Sequence, residues 1–284
     1  MAMKRWTLFS AIAAVLVAAL TVGCGNLDEK QRAWIFQPSD RSWGGSAAMA
    51  RDMDDEWIEF RSKITGEPVK LHGLWLASAH GGPDGPVMLY LHGARWNVAG
   101  SSPRIHRMHE LGFSVLAIDY RGFGRSTPCL PSEEMAYEDA RAAWDWLAAA
   151  YPHRPRYIFG HSLGGAVAID LAAKVDDERG TIVEGTFTSI SDVASSMKWG
   201  WLPIGPLITQ RFESVKKVAK VGSPLLVVHG DSDNLINSDL GRKLYDAAQG
   251  RKRFVLVEGG SHFSTMSVGL GKYREALADL FSLR

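Results

Sequence analysis

Residues 156–175, RYIFGHSLGGAVAIDLAAKV, constrain this chain more than any other stretch. Tyr157, Ile158 and Phe159 form a short apolar run of the kind buried strands use. Residues 163–175 form a small-residue amphipathic segment of helical length. Between them lies Gly160-His161-Ser162-Leu163-Gly164, a G-x-S-x-G pattern at a strand-to-helix junction. A turn that sharp holds a serine at positive φ with its hydroxyl exposed, provided the flanking positions lack a bulky Cβ. Gly165, Ala166 and Ala168 then let the helix lie close against the sheet. Ser162 is the candidate nucleophile. The bare pattern arises by chance roughly 0.25 times in a chain of this composition, so its meaning depends on its partners elsewhere in the chain.

Strand-like and helix-like segments alternate regularly around it. Residues 87–91 are continuously apolar and end in His92-Gly93, and residues 101–111 are helix-like. Residues 114–118 are apolar again and end in Asp119-Tyr120-Arg121-Gly122, before a helical stretch over 133–150. Buried-type strands are expected at 182–187, 225–228 and 254–257, with helices at 239–248 and 273–281. Ahead of all these, residues 57–63 and 69–78 read as an antiparallel edge around a Gly66-Glu67-Pro68 turn. Strands alternating with helices predict an α/β fold, a mostly parallel twisted sheet with helices on both faces. Ligands in such sheets bind beyond the carboxyl ends of the strands.

The candidate partners of Ser162 fall at those ends. After residues 225–228 comes His229-Gly230-Asp231-Ser232-Asp233. A carboxylate there can orient an imidazole and stabilise its protonated form. Asp231 and Asp233 both qualify by type, and Asp233 has the longer reach from the strand tip. After residues 254–257, Glu258-Gly259-Gly260-Ser261 leads to His262, whose ordinary pKa of about 6.5 suits shuttling a hydroxyl proton near neutrality. His92, His161 and His229 compete by type, each next to a strand-end turn; His92 and His229 read as hydrogen-bonding structural residues, and a sharp turn points His161 away from Ser162. Asp119 is expected to brace the DYRGFG loop. An oxyanion hole needs two backbone N–H groups: Leu163, next after the nucleophile, supplies one, and Ala94, in the loop after His92-Gly93, is expected to supply the other.

The order Ser162, Asp233, His262, with the His-Gly loop upstream, resembles the alpha/beta-hydrolase superfamily over about residues 55–284. YLHGARWN, VLAIDYRGFGRS and GHSLGGAVA are similar to its serine-aminopeptidase-like branch. In that branch the acid is the Asp of an H-G-x-x-D segment, which favours Asp233. Many relatives carry Asn directly after His-Gly, where this chain has Ala94. The resemblance implies a serine hydrolase with a Ser-Asp-His triad that cleaves carboxylic esters, or else thioesters or amides, through an acyl-enzyme. A non-catalytic ligand-binding or sensing protein on the same fold is the alternative. The superfamily carries a lid between the strand at 182–187 and the one at 225; here it spans only residues 188–223. Trp199 and Trp201 within it either pack on the sheet edge or line an acyl pocket.

The 284 residues are 46% hydrophobic with 32 basic and 31 acidic side chains, which suits one globular domain and supplies no basic stripe for nucleic acid. No metal-ligand cluster or phosphate-cradling loop is evident, so no cofactor is inferred and the expected partner is a small acyl substrate. Residues 1–23 read as a signal peptide: Lys4 and Arg5 precede an apolar run of about 15 residues, short for a membrane span of about 20. Leu20-Thr21-Val22-Gly23-Cys24 resembles a bacterial lipobox. That resemblance implies lipid on Cys24, a tether over residues 24–50, a hydrolase domain over 51–284, and membrane anchoring at the bacterial cell envelope. A secreted protein or an uncleaved signal anchor is the alternative. Within the tether, Ala33-Trp34-Ile35-Phe36 is apolar enough to pack on the domain. With Cys24 lipidated, Cys129 has no partner for a disulfide.

Overall fold

The computed structural model describes residues 26–39, 45–78, 82–197 and 205–283. Eight strands make one sheet: β1 (Asp54–Arg61), β2 (Pro68–Leu76), β3 (Val87–Leu91), β4 (Ser114–Ile118), β5 (Arg156–His161), β6 (Glu178–Glu184), β7 (Leu225–Gly230) and β8 (Lys252–Val257). Their order is β1-β2-β4-β3-β5-β6-β7-β8. β1 and β2 are the antiparallel edge expected from the turn at residues 66–68, β2 pairs antiparallel with β4, and β3 to β8 run parallel.

The period-two alternation of the central strands divides their side chains between two cores. Leu89, Leu91, Ile158, Val183 and Val227 face one side. Met88, Tyr90, Phe159, Ile182 and Val228 face the other. Continuous apolar runs are what a sheet covered on both faces demands. Around the sheet are helices α1 (residues 26–36), α2 (Ser46–Met49), α3 (Ser102–Glu110), α4 (Glu133–Ala150), α5 (Leu163–Ala172), α6 (Ile190–Ser196), α7 (Ser214–Lys217), α8 (Ser238–Ala247), α9 (Thr265–Val268) and α10 (Leu270–Phe281). The first face is covered by α4 through Ala140, Ala143, Trp144 and Leu147, by α5, and by α8 through Leu240 and Leu244. The second is covered by α3 through Ile105 and Met108, and by α10 through Tyr273 and Leu277.

Two differences from the sequence-based expectation have clear causes. β6 begins at Glu178 and ends at Glu184, earlier than the apolar run suggested, because Gly185 turns the chain at φ 58. Part of the stretch expected as a tether is helical over residues 26–36, and Ile35 and Phe36, from the apolar run expected to pack on the domain, are buried in the first core. Phe36 packs against Phe212 and Phe123 at ring centroid distances of 5.9 and 6.4 Å. Gln31 donates to Leu207 O at 2.8 Å, and Gln210 donates to Asp28 at 2.8 Å. Cys24 and residues 1–23 lie outside the described residues, as do Trp199 and Trp201.

If α1 belongs to the core, Phe36→Ala should cost about 3–5 kcal/mol, the usual loss for a buried phenylalanine. Urea unfolding monitored by circular dichroism reads this directly. A cost below about 1 kcal/mol would show that the segment merely rests on the surface.

Candidate active site

The turn between β5 and α5 is built from close backbone approaches. A Cβ on Gly160 would meet Gly164 O at 2.2 Å, and one on Gly164 would meet Leu91 O at 2.1 Å. Only glycine fits at either position, and the compression drives Ser162 to φ 55, ψ −120. Three hydrogen bonds hold it there: Ser162 N–H to Glu184 O (2.9 Å), Thr186 Oγ1 to Ser162 O (2.8 Å) and Gly165 N–H to Ser162 O (2.9 Å). The Leu163 N–H begins α5 and therefore has no intrahelical acceptor.

His262 lies in the loop after β8 and is buried. Its Nδ1 is 2.8 Å from Asp233 Oδ2. The other oxygen, Asp233 Oδ1, accepts the Leu235 and Ile236 N–H groups at 2.9 and 2.8 Å. Burial alone would raise the Asp233 pKa. Hydrogen bonds from His229 and His262, the charge of His262 and the Ile236 N–H outweigh burial and hold it well below the usual carboxylate range. Asp231 does a different job: it accepts the Gly259 N–H at 2.8 Å and so shapes the loop that leads to His262.

Ser162, Leu163, Ala94 and His262 all line one cavity of about 700 Å³ at the carboxyl rim of the parallel strands. Its wall is largely apolar, with Ile35 from α1, Phe187, Ile190 and Val193 from the β6–α6 segment, and Leu235 and Met266. The contribution of α1 was not expected from the sequence, where its one signal was the apolar run at residues 33–36.

The competing histidines bond to other groups, and His229 also lies 3.4 Å from Asp233 Oδ2. His92 Nδ1 is 2.6 Å from Gly93 O, and His229 Nε2 is 2.9 Å from Ile236 O. His161 Nε2 is 3.0 Å from His262 O, so its ring points to the main chain of the histidine loop. Burial, then the charges of Arg104 and His262, hold the His161 pKa well below the ordinary histidine value. The Asp119 carboxylate, expected to brace the DYRGFG loop, bonds outside it: its Oδ1 accepts the Val98 N–H at 2.6 Å, and its Oδ2 is 3.3 Å from His72 Nδ1.

The loop carrying Ala94 has a feature no sequence pattern announces. Arg95 and Trp96 both adopt the left-handed region, at φ 71 and 57. Such residues persist only where their surroundings hold them. Here the Arg95 N–H donates to Phe36 O at 2.8 Å and the Ser39 N–H donates to Trp96 O at 3.3 Å. The end of α1 and the residues after it thus clamp the loop beyond β3. Among the described residues, no group of three or more His, Cys, Asp and Glu side chains is arranged to hold a metal ion. No described helix is long and apolar enough to cross a membrane.

A mostly parallel sheet, a serine in a strained strand-to-helix turn and a His-Asp pair on the same rim define the alpha/beta-hydrolase fold. The Hydrolase_4 family model, described as Serine aminopeptidase, S33, matches residues 82–214. Uncharacterized protein Rv2307c of Mycobacterium tuberculosis (strain ATCC 25618 / H37Rv) is 32% identical over 264 residues, covering 92% of this chain and 90% of that protein. YfhR of Escherichia coli (strain K12) is 30% identical over 254 residues, covering 87% and 85%. Lysophosphatidylserine lipase ABHD12 of Rattus norvegicus is 32% identical over 201 residues, which is 63% of this chain and 48% of that one. The Pyrococcus furiosus esterase Pf2001 superposes with a TM-score of 0.66 at 19% identity, over 86% of this chain and 97% of that one. The chain belongs to the alpha/beta-hydrolase superfamily, in one family with Rv2307c and YfhR, and is a hydrolase.

The depressed Asp233 pKa has a consequence for acid stability. A carboxyl whose folded pKa lies below its unfolded value of about 3.9 takes up a proton more readily when unfolded. Its stabilisation is complete above the unfolded value and drains away as pH falls towards the folded one. Wild type should therefore lose more stability than Asp233→Asn between about pH 5 and pH 3. Urea midpoints across that range test this, and parallel slopes would contradict it.

Proposed function

We propose that the protein is a serine hydrolase acting through an acyl-enzyme on carboxylic esters, with thioesters or amides as the alternative substrate classes. The observation that carries this is the 2.8 Å His262–Asp233 pair opening on the same cavity as a serine held at φ 55. In the proposed reaction Ser162 Oγ attacks the acyl carbonyl while His262 Nε2 takes its proton. Asp233 fixes the imidazole with Nε2 free and stabilises the imidazolium. The backbone N–H groups of Leu163 and Ala94 receive the developing negative charge. His262 returns the proton to the leaving alcohol, and water then repeats the sequence to release the acid.

The apolar wall formed by Ile35, Phe187, Ile190 and Val193 suits an acyl chain. Similarity to proteins named lysophosphatidylserine lipase supports an ester carrying one acyl chain on a polar head. A lipid anchor on Cys24 would hold such an enzyme at the membrane of the bacterial envelope, beside substrates of that kind.

Steady-state kinetics on a panel of esters, thioesters and amides of graded chain length tests the proposal. Ser162→Ala should lower kcat by at least about 10⁴-fold, and Asp233→Asn by a comparable factor. Asp231→Asn should stay within about tenfold of wild type, since that carboxylate only shapes the loop. Turnover unaffected by Ser162→Ala would overturn the assignment, and equal losses at both aspartates would remove the distinction between them.

A further inference from the structure

Beside the candidate site lies a charge pair that the proposed chemistry does not use, and one of its members, Arg104, also lines the cavity. Glu184, the last residue of β6, is fully buried, and its carboxylate meets two donors. Arg104 Nε, from α3, donates to Oε1 at 2.8 Å, and the Tyr273 hydroxyl, from α10, donates to Oε2 at 2.5 Å. Burial and the adjacent Glu184 charge raise the Tyr273 pKa well above its ordinary value, which leaves the hydroxyl a neutral donor. A buried ion pair is costly to desolvate and seldom a net source of stability, so its presence here calls for another reason.

The rest of the guanidinium supplies one. Arg104 Nη2 donates to His262 O at 2.9 Å and approaches Phe263 O at 3.3 Å. The same His262 carbonyl lies 3.0 Å from His161 Nε2. The main chain of His262 is therefore gripped by two donors. One is anchored on the end of β6, and the other comes from the residue before Ser162. Glu184 itself accepts the Ser162 N–H through its backbone oxygen at 2.9 Å. One residue thus fixes the serine turn through its main chain and the histidine loop through its side chain.

We propose that Arg104 is a positioning residue: held by Glu184, its planar fork sets the main chain of His262 and so the place of the imidazole relative to Ser162. The inference rests on the reading of His262 as the general base. Only a guanidinium fits the task, because it offers Nε to the carboxylate and Nη2 to the carbonyl in fixed relative geometry, whereas an ammonium is a single point.

Removing one partner alone would leave a buried unpaired charge and confuse folding with positioning. The informative variant is the neutral pair Arg104→Met with Glu184→Gln, compared with Arg104→Lys. Two measurements are made on the full chain: ester kinetics, and the low-field proton resonance of His262 Nδ1–H in the bond to Asp233. The double variant should unfold near the wild-type temperature yet show kcat lowered about 10- to 100-fold, with KM changed less than about threefold. Its His262 Nδ1–H signal should broaden through faster exchange. Arg104→Lys should fall between wild type and the double variant in both readouts, and it carries the test if the double variant does not fold. Wild-type kcat and a sharp His262 signal in the variants would overturn the inference. If the wild-type protein shows no Ser162-dependent turnover, the functional reading fails. The resonance still decides whether Arg104 positions the ring.

Discussion

The strained backbone at Ser162 is the constraint on which the rest of the architecture depends. A non-glycine residue at φ 55, ψ −120 costs on the order of 1–3 kcal/mol and survives only where its surroundings over-determine it. The surroundings do so from three sides. β6 supplies an acceptor through Glu184 O, Thr186 just beyond it supplies a donor, and α5 returns the Gly165 N–H. Behind the turn, the β3 backbone at Leu91 leaves no room for a side chain on Gly164. The sheet centre is thus ordered around one turn, and the elements that hold it also deliver His262 and Asp233 to the same rim.

The histidine loop is held as firmly as the serine turn. Asp231 ties its start at Gly259, Asp233 holds the ring of His262, and Arg104 and His161 hold the His262 carbonyl. The two aspartates look interchangeable by residue type, and two residues of separation send them to different tasks. Asp231 stays exposed and bonds the neighbouring loop, while Asp233 turns inward over β7 and is capped by the Leu235 and Ile236 N–H groups. The loops after β7 and β8 thereby act as a rigid bracket.

The range of each signal along the chain decided how much of this was legible in the sequence. The parallel strands are continuous apolar runs because both faces are covered, so their positions could be read locally, as at residues 87–91 and 114–118. Ser162, Ala94 and His262 could be placed on one rim because each lies just past a strand end, and they line one cavity. Three features could not. The Arg104–Glu184 pair joins residues 80 apart, and neither stands in a distinctive pattern. Within residues 26–36 the apolar run at 33–36 was legible as packing on the domain, but the helix itself and the distant aromatic rings that bury Phe36 were not. The left-handed Arg95 and Trp96 contain no glycine to betray the turn, because the strain is met by hydrogen bonds with a distant upstream segment, Phe36 and Ser39.

The central claim is that the Ser162 oxygen is the atom that becomes covalently bound to substrate. Treating the folded protein with a fluorophosphonate, then locating the adduct by peptide mass spectrometry, tests it most directly. One stoichiometric phosphonyl group is expected on Ser162, absent from Ser162→Ala and formed far more slowly in a His262→Ala variant. An adduct on another residue, or an unmodified Ser162 in protein that still hydrolyses esters, would contradict it.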